Sequence, residues 1–365
     1  MRIAQIAPLY ESVPPRFYGG TERVVSWLTE KLVALGHDVT LFASGDSVTT
    51  ARLVPGCKKA LRLSHCIDPL PHHILMLEDV FAQADDFDLL HFHIDYLHFS
   101  RIRRERIPGV TTLHGRLDIP DLVPLYREFA DLPLISISEA QREPLPWANW
   151  IGTVHHGMPA DSLCLSETPG DYLAFLGRVS PEKGLDRAIE IAIRAGINLK
   201  IAAKVDRVDQ KYFEEKITPA LKHPLIEFIG EIGNSDKQEF LGNAKALLFP
   251  IEWPEPFGLV MIEAMACGTP TIAYPFGSVP EVITPGVSGF LVRNIQEAVR
   301  AVKRIQEIDR LECRRNFELN FSDERMARDY LRLYKQLIHP TSNSIAVEEG
   351  VLNWMEVESQ TPSTT

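Results

Sequence analysis

The sequence predicts an α/β protein made of two doubly wound units, and three observations support this prediction. Short apolar runs typical of strands alternate with amphipathic segments typical of helices through most of the 365 residues. This alternation pauses between residues 155 and 171, where glycines and prolines lie among polar residues, and it then starts again. Alternation of this kind is typical of parallel sheets that are covered by helices. Ligands of open α/β sheets bind beyond the carboxyl ends of the strands, so we expect the site in a cleft between the two units.

The elements of the first unit are predicted before the pause. Its strands are predicted at 3–7, 39–43, 89–92, 110–113 and 134–136. The amphipathic segment 21–35 predicts a helix, and it is followed by Gly36, a residue favoured just past a helix C-terminus.

The second unit repeats the order of the first. Its strands are predicted at 172–176, 199–203, 226–229, 246–250 and 271–273. Helices are predicted at 185–195 and, with many charged residues, at 322–338. The remaining tail, 339–365, is rich in Ser, Thr, Glu and Pro, and we expect its end to be disordered.

Composition excludes several classes of protein. There are 38 basic and 49 acidic side chains, a net charge of −11, which argues against a broad nucleic-acid surface. The five cysteines are scattered without a Cys-x-x-Cys pair, so neither a disulfide framework nor a zinc site is expected. Neither an apolar run of ~18 residues nor a signal peptide is evident. We therefore expect a cytoplasmic protein.

The segment from Glu255 to Glu263 carries the strongest functional signal. Pro256 and Gly258 break the chain after the first carboxylate, and an apolar helical run then carries the second. A helix N-terminus offers free N–H groups and a positive dipole end, which favour an anion. The two carboxylates would lie roughly 12 Å apart along a helix, far enough to contact two parts of a nucleotide sugar. The alternative is an amphipathic helix with two solvated glutamates.

Two glycine-containing loops occupy matching places in the two units. Gly19-Gly20 follows the first strand, and adjacent glycines let backbone approach a ligand closely. In the second unit, Gly177 to Gly184 contains Arg178 and Lys183, a planar fork and a mobile point charge that together suit a diphosphate. A simple turn and a pair of surface cations are the alternatives.

Histidines and arginines of the first unit form the other candidate groups. His114 follows a predicted strand and precedes a glycine, a position that faces the expected cleft. His91 and His93 share one strand face, where packing or substrate contact is favoured over a metal site. A dense basic cluster comprises Arg101, Arg103, Arg104 and Arg106. It suits a peripheral membrane contact or an anionic acceptor, although a solvated helical face is favoured.

Together these motifs resemble the retaining GT-B glycosyltransferases of family 4, the group 1 glycosyltransferases. The order and spacing of the motifs carry the resemblance, which covers the chain from Met1 to about residue 338. It implies two Rossmann-like doubly wound domains that face an interdomain cleft. The predicted divisions are an acceptor-binding domain at 1–160, a nucleotide-sugar-binding domain at 161–321, a helix crossing back at 322–338 and a tail at 339–365.

The resemblance also implies a role for each motif. Arg178 and Lys183 would bind the donor diphosphate, and Gly19 and Gly20 would approach it from the other domain. Glu263 would bind the ribose hydroxyls. His114 and Glu255 would contact the sugar near the reacting carbon. The backbone of Phe257, Gly258 and Leu259 would lie beside the sugar and the phosphate. The base would lie near Gly230, Glu231 and Ile232.

The implied activity is retaining transfer of a hexose from a nucleoside-diphosphate sugar, with UDP-glucose the preferred donor. The acceptor is a small molecule, a lipid or a polysaccharide. No Asp-x-Asp metal motif accompanies these residues, so we expect protein cations to replace Mg²⁺ and no cofactor beyond the donor substrate. The alternatives are a GT-B sugar-nucleotide epimerase or hydrolase and a non-catalytic nucleotide-sugar-binding protein. A dehydrogenase is disfavoured because Gly-x-Gly-x-x-Gly is missing after the first strand.

Overall fold

The computed structural model describes residues 1–16 and 19–339, and within this part the strands form two parallel sheets. The first sheet has the order β3-β2-β1-β4-β5-β6-β7. Its strands are β1 Arg2–Ile6, β2 Asp38–Ser44, β3 Arg52–Cys57, β4 Leu89–Phe92, β5 Gly109–Thr112, β6 Leu134–Ser136 and β7 Trp150–Thr153. The second sheet has the order β10-β9-β8-β11-β12-β13. Its strands are β8 Tyr172–Val179, β9 Asn198–Val205, β10 Ile226–Gly230, β11 Ala244–Phe249, β12 Thr271–Ala273 and β13 Gly289–Leu291.

Both sheets have the strand order of a doubly wound fold. In each, the first strand in sequence lies near the centre, and the chain reverses direction across the sheet beside it. The reversal falls between β1 and β4 in the first sheet and between β8 and β11 in the second. Ligands bind at such switch points, beyond the carboxyl ends of the two strands. The predicted pair of α/β sheets is confirmed.

Helices connect the strands and cover the sheets. In the first half they are α1 Gly20–Ala34, α2 Leu70–Ala82, α3 Phe99–Ile102 and α4 Leu122–Glu128. In the second they are α5 Leu185–Ala195, α6 Gln210–Tyr212, α7 Asn234–Gly242, α8 Leu259–Ala266, α9 Val279–Val282, α10 Ile295–Lys303, α11 Arg310–Asn320 and α12 Asp323–Ile338. Separate apolar cores form on the faces of the two sheets.

The last helix, α12, packs on the first sheet although it follows the second in sequence. Tyr330 and Tyr334 are buried there in the same core as Ile3 and Leu28. An ion pair of 3.0 Å joins Asp323 of α12 to Lys31 of α1. The chain therefore crosses between the two halves twice. The domain boundaries given above remain a prediction, and the predicted disorder of the tail concerns residues outside the described part.

The two crossings run side by side and are hydrogen-bonded to each other. The amide of Met158 donates to the carbonyl of Phe321 at 2.9 Å, and the amide of Asp323 donates to Met158 at 3.0 Å. A Cβ at Gly157 would collide with the Ser322 carbonyl, so this close approach requires glycine. The connection between the halves is therefore a paired strap.

Two sequence expectations need correction. The loop position predicted for Arg178 is wrong. Strand β8 continues to Val179, because its last residues still pair with β9. An Asp-x-Asp spacing does occur, at Asp86 and Asp88, just before β4. It lies at the amino end of the strand, away from the switch point, and Asp88 is paired with Arg2 at 2.8 Å.

Residues 1–16 and 19–339 contain neither a cluster of metal ligands nor a membrane-spanning helix. No group of three or more His, Cys, Asp or Glu side chains there is arranged to hold a metal ion. Within the same ranges, no helix combines the length and the apolar character that crossing a bilayer requires. In the basic cluster, Arg101 pairs with Glu105 at 2.7 Å and Arg103 pairs with Glu128 at 2.9 Å, so part of its charge is neutralised.

Candidate functional site

Most predicted site residues lie at the carboxyl edges of the two sheets. Lys183 follows β8 and Glu255 follows β11, the two strands that flank the switch point of the second sheet. His114 follows β5 in the first sheet. The edges meet through several contacts: the Ser138 hydroxyl donates to the Pro256 carbonyl at 2.7 Å, and the His156 and Phe257 rings lie 4.7 Å apart.

Lys183 and Glu255 are in direct contact. The ammonium group donates to Oε2 of Glu255, and the same oxygen accepts from the indole N–H of Trp253 at 3.0 Å. The Lys183 nitrogen also lies 4.7 Å from the centre of the Trp253 ring, a cation–π contact. Glu255 is buried, so pairing with a cation offsets the desolvation of its carboxylate. Lys183, predicted to bind the diphosphate, and Glu255, predicted to bind the sugar, therefore belong to one cluster.

The segment after Glu255 is held in a fixed shape. Gly258 has a φ of +80°, which glycine adopts without strain, and α8 begins at the next residue. The Ser278 hydroxyl donates to the Phe257 carbonyl at 2.8 Å, and the Ser278 amide donates to the Glu255 carbonyl at 2.9 Å. The first amide groups of an α-helix have no acceptor within the helix, so the N-terminus of α8 offers donors to an anion. The first turn of α8 contains no acidic residue, so its positive end favours an anion.

Glu263 lies one turn inside α8 and is paired with a residue that the sequence did not indicate. Oε1 of Glu263 accepts from the Lys237 ammonium at 2.5 Å, and both side chains are largely buried. Lys237 belongs to α7. This helix follows Gly230, the last residue of β10, and the loop that contains Glu231 and Ile232. Ion pairing with Lys237 thus orients the Glu263 carboxylate beside the loop predicted to bind the base.

Arg178 and the loop after β10 complete this side of the edge. The Arg178 guanidinium donates to Glu182 at 2.8 Å and lies 3.9 Å from Asp209. Gly230 ends β10 with a φ of +79°, Glu231 is exposed, and Ile232 packs partly into the core below. Arg178, predicted to bind the diphosphate, therefore lies at the same sheet edge as Lys183. The residues predicted to bind the base, Gly230, Glu231 and Ile232, lie at this edge too, at the end of β10.

The N-terminus of α1 faces that of α8. A Cβ built at Gly20 would lie 3.7 Å from Cδ1 of Leu259, and one built at Gly19 would lie 2.8 Å from Pro15. Glu22 already occupies the first turn of α1. Burial raises the pKa of Glu22, although amides of Glu22 and Glu11 hydrogen-bond to it. A carboxylate at this position repels a second anion. The N-terminus of α8 is therefore better suited to bind a diphosphate than the N-terminus of α1.

His114 lies opposite the Glu255–Gly258 segment. Its ring stacks on His156, with the centroids 5.3 Å apart, and His156 in turn contacts Phe257. Nε2 of His114 is 2.9 Å from Nδ1 of His93. Burial lowers the pKa of His114 to about 3, so its imidazole is neutral at physiological pH. His155, at the strap, instead contacts Glu281 at 2.9 Å.

The structure thus brings Lys183, Glu255, Phe257, Gly258 and Leu259 into one cluster, with Gly20 and His114 opposite. The sequence did not indicate Trp253 or Lys237. It also did not indicate Ser138 and Ser278, whose hydroxyls donate to backbone carbonyls of the site. Trp253 could have been identified from the sequence, since it lies two residues before Glu255 in a Pro-containing loop. Lys237 could not, because its pairing with Glu263 depends on how α7 packs against α8.

Two family profiles match this chain. The profile described as glycosyl transferases group 1 matches residues 165–320, and the glycosyltransferase family 4 profile matches residues 18–173. Together they cover the second sheet, every strand of the first sheet except β1, and the predicted site residues from Gly19 to Glu263. The chain is a group 1 glycosyltransferase of the GT-B fold. It is therefore an enzyme that transfers a sugar.

Curated relatives and solved structures resemble this glycosyltransferase over most of its length. It is 25% identical to the phosphatidyl-myo-inositol mannosyltransferase of Mycobacterium leprae, with 80% of this chain and 83% of the relative covered. The structure of AviGT4, a glycosyltransferase involved in avilamycin A biosynthesis, matches with a TM-score of 0.74 and 23% identity. That match covers 93% of the enzyme and 99% of AviGT4. HepE of Anabaena, solved with UDP-glucose, matches with a TM-score of 0.70 and 16% identity over 92% and 100% of the two chains.

Proposed function

We propose that this glycosyltransferase moves a hexose from a nucleoside-diphosphate sugar to a hydroxyl acceptor, with retention and without a metal ion. The observation that carries the proposal is the Lys183–Glu255–Trp253 cluster beside the N-terminus of α8. A cation and a helix N-terminus suit the diphosphate, and a carboxylate at the same place suits the hydroxyls of the attached sugar.

Expulsion of the leaving group defines what each residue does in the proposal. The bond between the anomeric carbon and the phosphate oxygen breaks, and its electron pair stays on the diphosphate. Lys183, Arg178 and the α8 amides stabilise this developing negative charge. The acceptor oxygen bonds to the anomeric carbon on the same face, and its proton passes to the leaving phosphate oxygen. Glu255 and His114 hold the sugar, and Glu263 holds the ribose.

UDP-glucose is the preferred donor. The UDP-glucose complex of HepE, a structure of the same fold, makes this the first donor to test. Hexose transfer is also consistent with the relative named as a mannosyltransferase. The acceptor remains a small molecule, a lipid or a polysaccharide.

Thermal unfolding with UDP-, GDP- and ADP-sugars tests the donor. A ligand present at 100 times its Kd stabilises the folded state by about 2.7 kcal/mol, so the true donor should raise Tm by several degrees. We expect UDP-glucose to give the largest increase, and EDTA to leave it unchanged. If none of the nucleotide sugars raises Tm, the donor site is wrong. The anomer first released during slow hydrolysis of UDP-glucose, followed by NMR, tests retention: α-glucose is expected, and β-glucose contradicts the proposal.

A further inference from the structure

A continuous chain of hydrogen bonds connects His114 to the crossing helix α12. It begins between Nε2 of His114 and Nδ1 of His93 at 2.9 Å and continues from Nε2 of His93 to Oε1 of Gln5 at 2.8 Å. Nε2 of Gln5 then contacts the Tyr334 hydroxyl at 3.3 Å. From there the chain passes to Nδ1 of His91 at 2.6 Å and from Nε2 of His91 to the Thr112 hydroxyl at 2.7 Å.

The amide of Gln5 fixes the direction of this chain. Its Oε1 atom can only accept, so the proton of the neutral His93 ring lies on Nε2. Nδ1 of His93 is then an acceptor, and His114 must donate to it from Nε2. His114 is therefore the Nε2–H tautomer, and its Nδ1 atom carries a lone pair.

The other arm of the chain is consistent with the same direction. Nε2 of Gln5 donates to the Tyr334 oxygen, and the Tyr334 hydroxyl donates to Nδ1 of His91. The proton of His91 thus lies on Nε2, which donates a hydrogen bond to the Thr112 hydroxyl oxygen. Each contact has one donor and one acceptor. Turning the Gln5 amide over would reverse every bond and leave a buried N–H without a partner at His114, which is the rarer situation in proteins.

Nδ1 of His114 is the unused end of the chain. This atom is buried and has no hydrogen-bond partner among the described residues. A buried acceptor without a partner destabilises the protein, and a donor group of a bound ligand would remove this cost. The ring lies against His156 and Phe257, beside the predicted sugar position.

We propose that Gln5, acting through His93, is a positioning residue that holds His114 as the Nε2–H tautomer, so that Nδ1 accepts a hydrogen bond from a hydroxyl of the bound sugar. The identity of the ligand rests on the proposed function, whereas the tautomer does not. A lone pair attracts a hydroxyl hydrogen and repels a phosphate oxygen. The arrangement therefore directs the neutral part of the donor to this side of the site.

Burial keeps the chain neutral. Desolvation lowers the pKa of His93 and His91 far below the ordinary value, and the neighbouring imidazoles lower both further. The rings therefore act as fixed donors and acceptors at physiological pH.

The tautomer is measured by two-bond ¹H–¹⁵N correlation NMR on the full-length, ligand-free protein labelled with ¹⁵N-histidine. His114→Phe identifies the signal. We expect a protonated Nε2 and an unprotonated Nδ1 in the wild type. Replacing Gln5 with Met removes the acceptor, and it should produce a mixture of the two tautomers. Tyr330→Phe removes a hydroxyl that Thr112 contacts at 3.2 Å, at the far end of the other arm and not beside Gln5, so it should leave the His114 tautomer unchanged.

A binding comparison separates positioning from a merely structural role. Gln5→Met should weaken binding of UDP-glucose about tenfold, the equivalent of one hydrogen bond, and leave the Kd of UDP unchanged, because UDP lacks the sugar. Tyr330→Phe should change neither. A proton on Nδ1 in the wild type, or equal losses for UDP and UDP-glucose in Gln5→Met, would overturn the proposal. If no nucleotide sugar binds at all, the proposed function fails, while the tautomer measurement still decides the role of Gln5.

Discussion

The two walls of the site use opposite chemistry. On the wall from the second sheet, charged side chains are paired with one another, Lys183 with Glu255 and Lys237 with Glu263. On the wall from the first sheet, His114, His93 and Gln5 form a neutral chain. An ion pair can exchange its partner for an incoming charge, whereas a neutral chain with fixed tautomers only offers or accepts hydrogen bonds. Under the proposed function, the charged wall would take the diphosphate and, through Glu255 and Glu263, hydroxyls of the donor, whereas the neutral wall would take hydroxyls only.

The ion pairs have a further consequence for binding. The Glu255 carboxylate pairs with Lys183 and neutralises this largely buried cation. Under the proposed function, a diphosphate would displace this carboxylate from Lys183 and leave it available to the sugar hydroxyls. The three predictions that follow test the charged wall.

Lys183→Ala should produce the largest effect. Removing one donor to the developing negative charge is expected to lower kcat by about 10²- to 10³-fold, measured as initial rates of donor turnover. Lys200→Ala is the matched control, because Lys200 lies near the amino end of β9 and contacts Glu227 at 3.8 Å, away from the switch point. Similar rates for the wild type and Lys183→Ala would remove Lys183 from the reaction.

Glu255→Gln should have effects of opposite sign on two measurements. Turnover is expected to fall roughly 10- to 100-fold, since hydrogen bonds to a charged group contribute about 1.5–3 kcal/mol. Binding of UDP, measured by calorimetry, should become about three- to tenfold tighter, because Lys183 is released from its competing carboxylate. Weaker UDP binding in this variant would show that the ion pair does not compete with the diphosphate.

Lys237→Met should have the smallest effect of the three. Losing the ion pair frees the Glu263 carboxylate to rotate, so the Kd for UDP should rise about fivefold. Binding of 2′-deoxy-UDP, which lacks a ribose hydroxyl, should change less, and the preference for UDP should shrink. Lys211→Met, at a site 85% exposed beside Glu215, serves as the control. An unchanged ratio of the two Kd values would argue that Glu263 does not bind the ribose.

The strands that the sequence predicted are mostly the central ones. Buried parallel strands are continuous apolar runs, and every such run was recognised. The strands that were missed, β3, β7 and β13, all lie at sheet edges. Pro55 and Gly56 interrupt the pattern of β3, and β13 has only three residues. An edge strand is partly exposed, so its sequence lacks the apolar run that identifies the others.

The candidate site was predictable where a motif lies next to a strand end. Glu255, Lys183 and His114 each follow a recognisable strand, so their placement at one edge follows from the topology. Partners that come from packing were not predictable: Lys237 reaches Glu263 from another helix. Gln5 had a weak signal, as a polar residue in the buried strand β1, but its role depends on His93 and Tyr334, far away in sequence.

The paired strap between the halves limits how the enzyme can open. Hydrogen bonds between Met158, Phe321 and Asp323 join the two chain segments, so neither segment can bend without the other. We therefore expect any movement of one half against the other to be a hinge at the strap, and such a hinge would change the distance between the charged wall and the neutral wall.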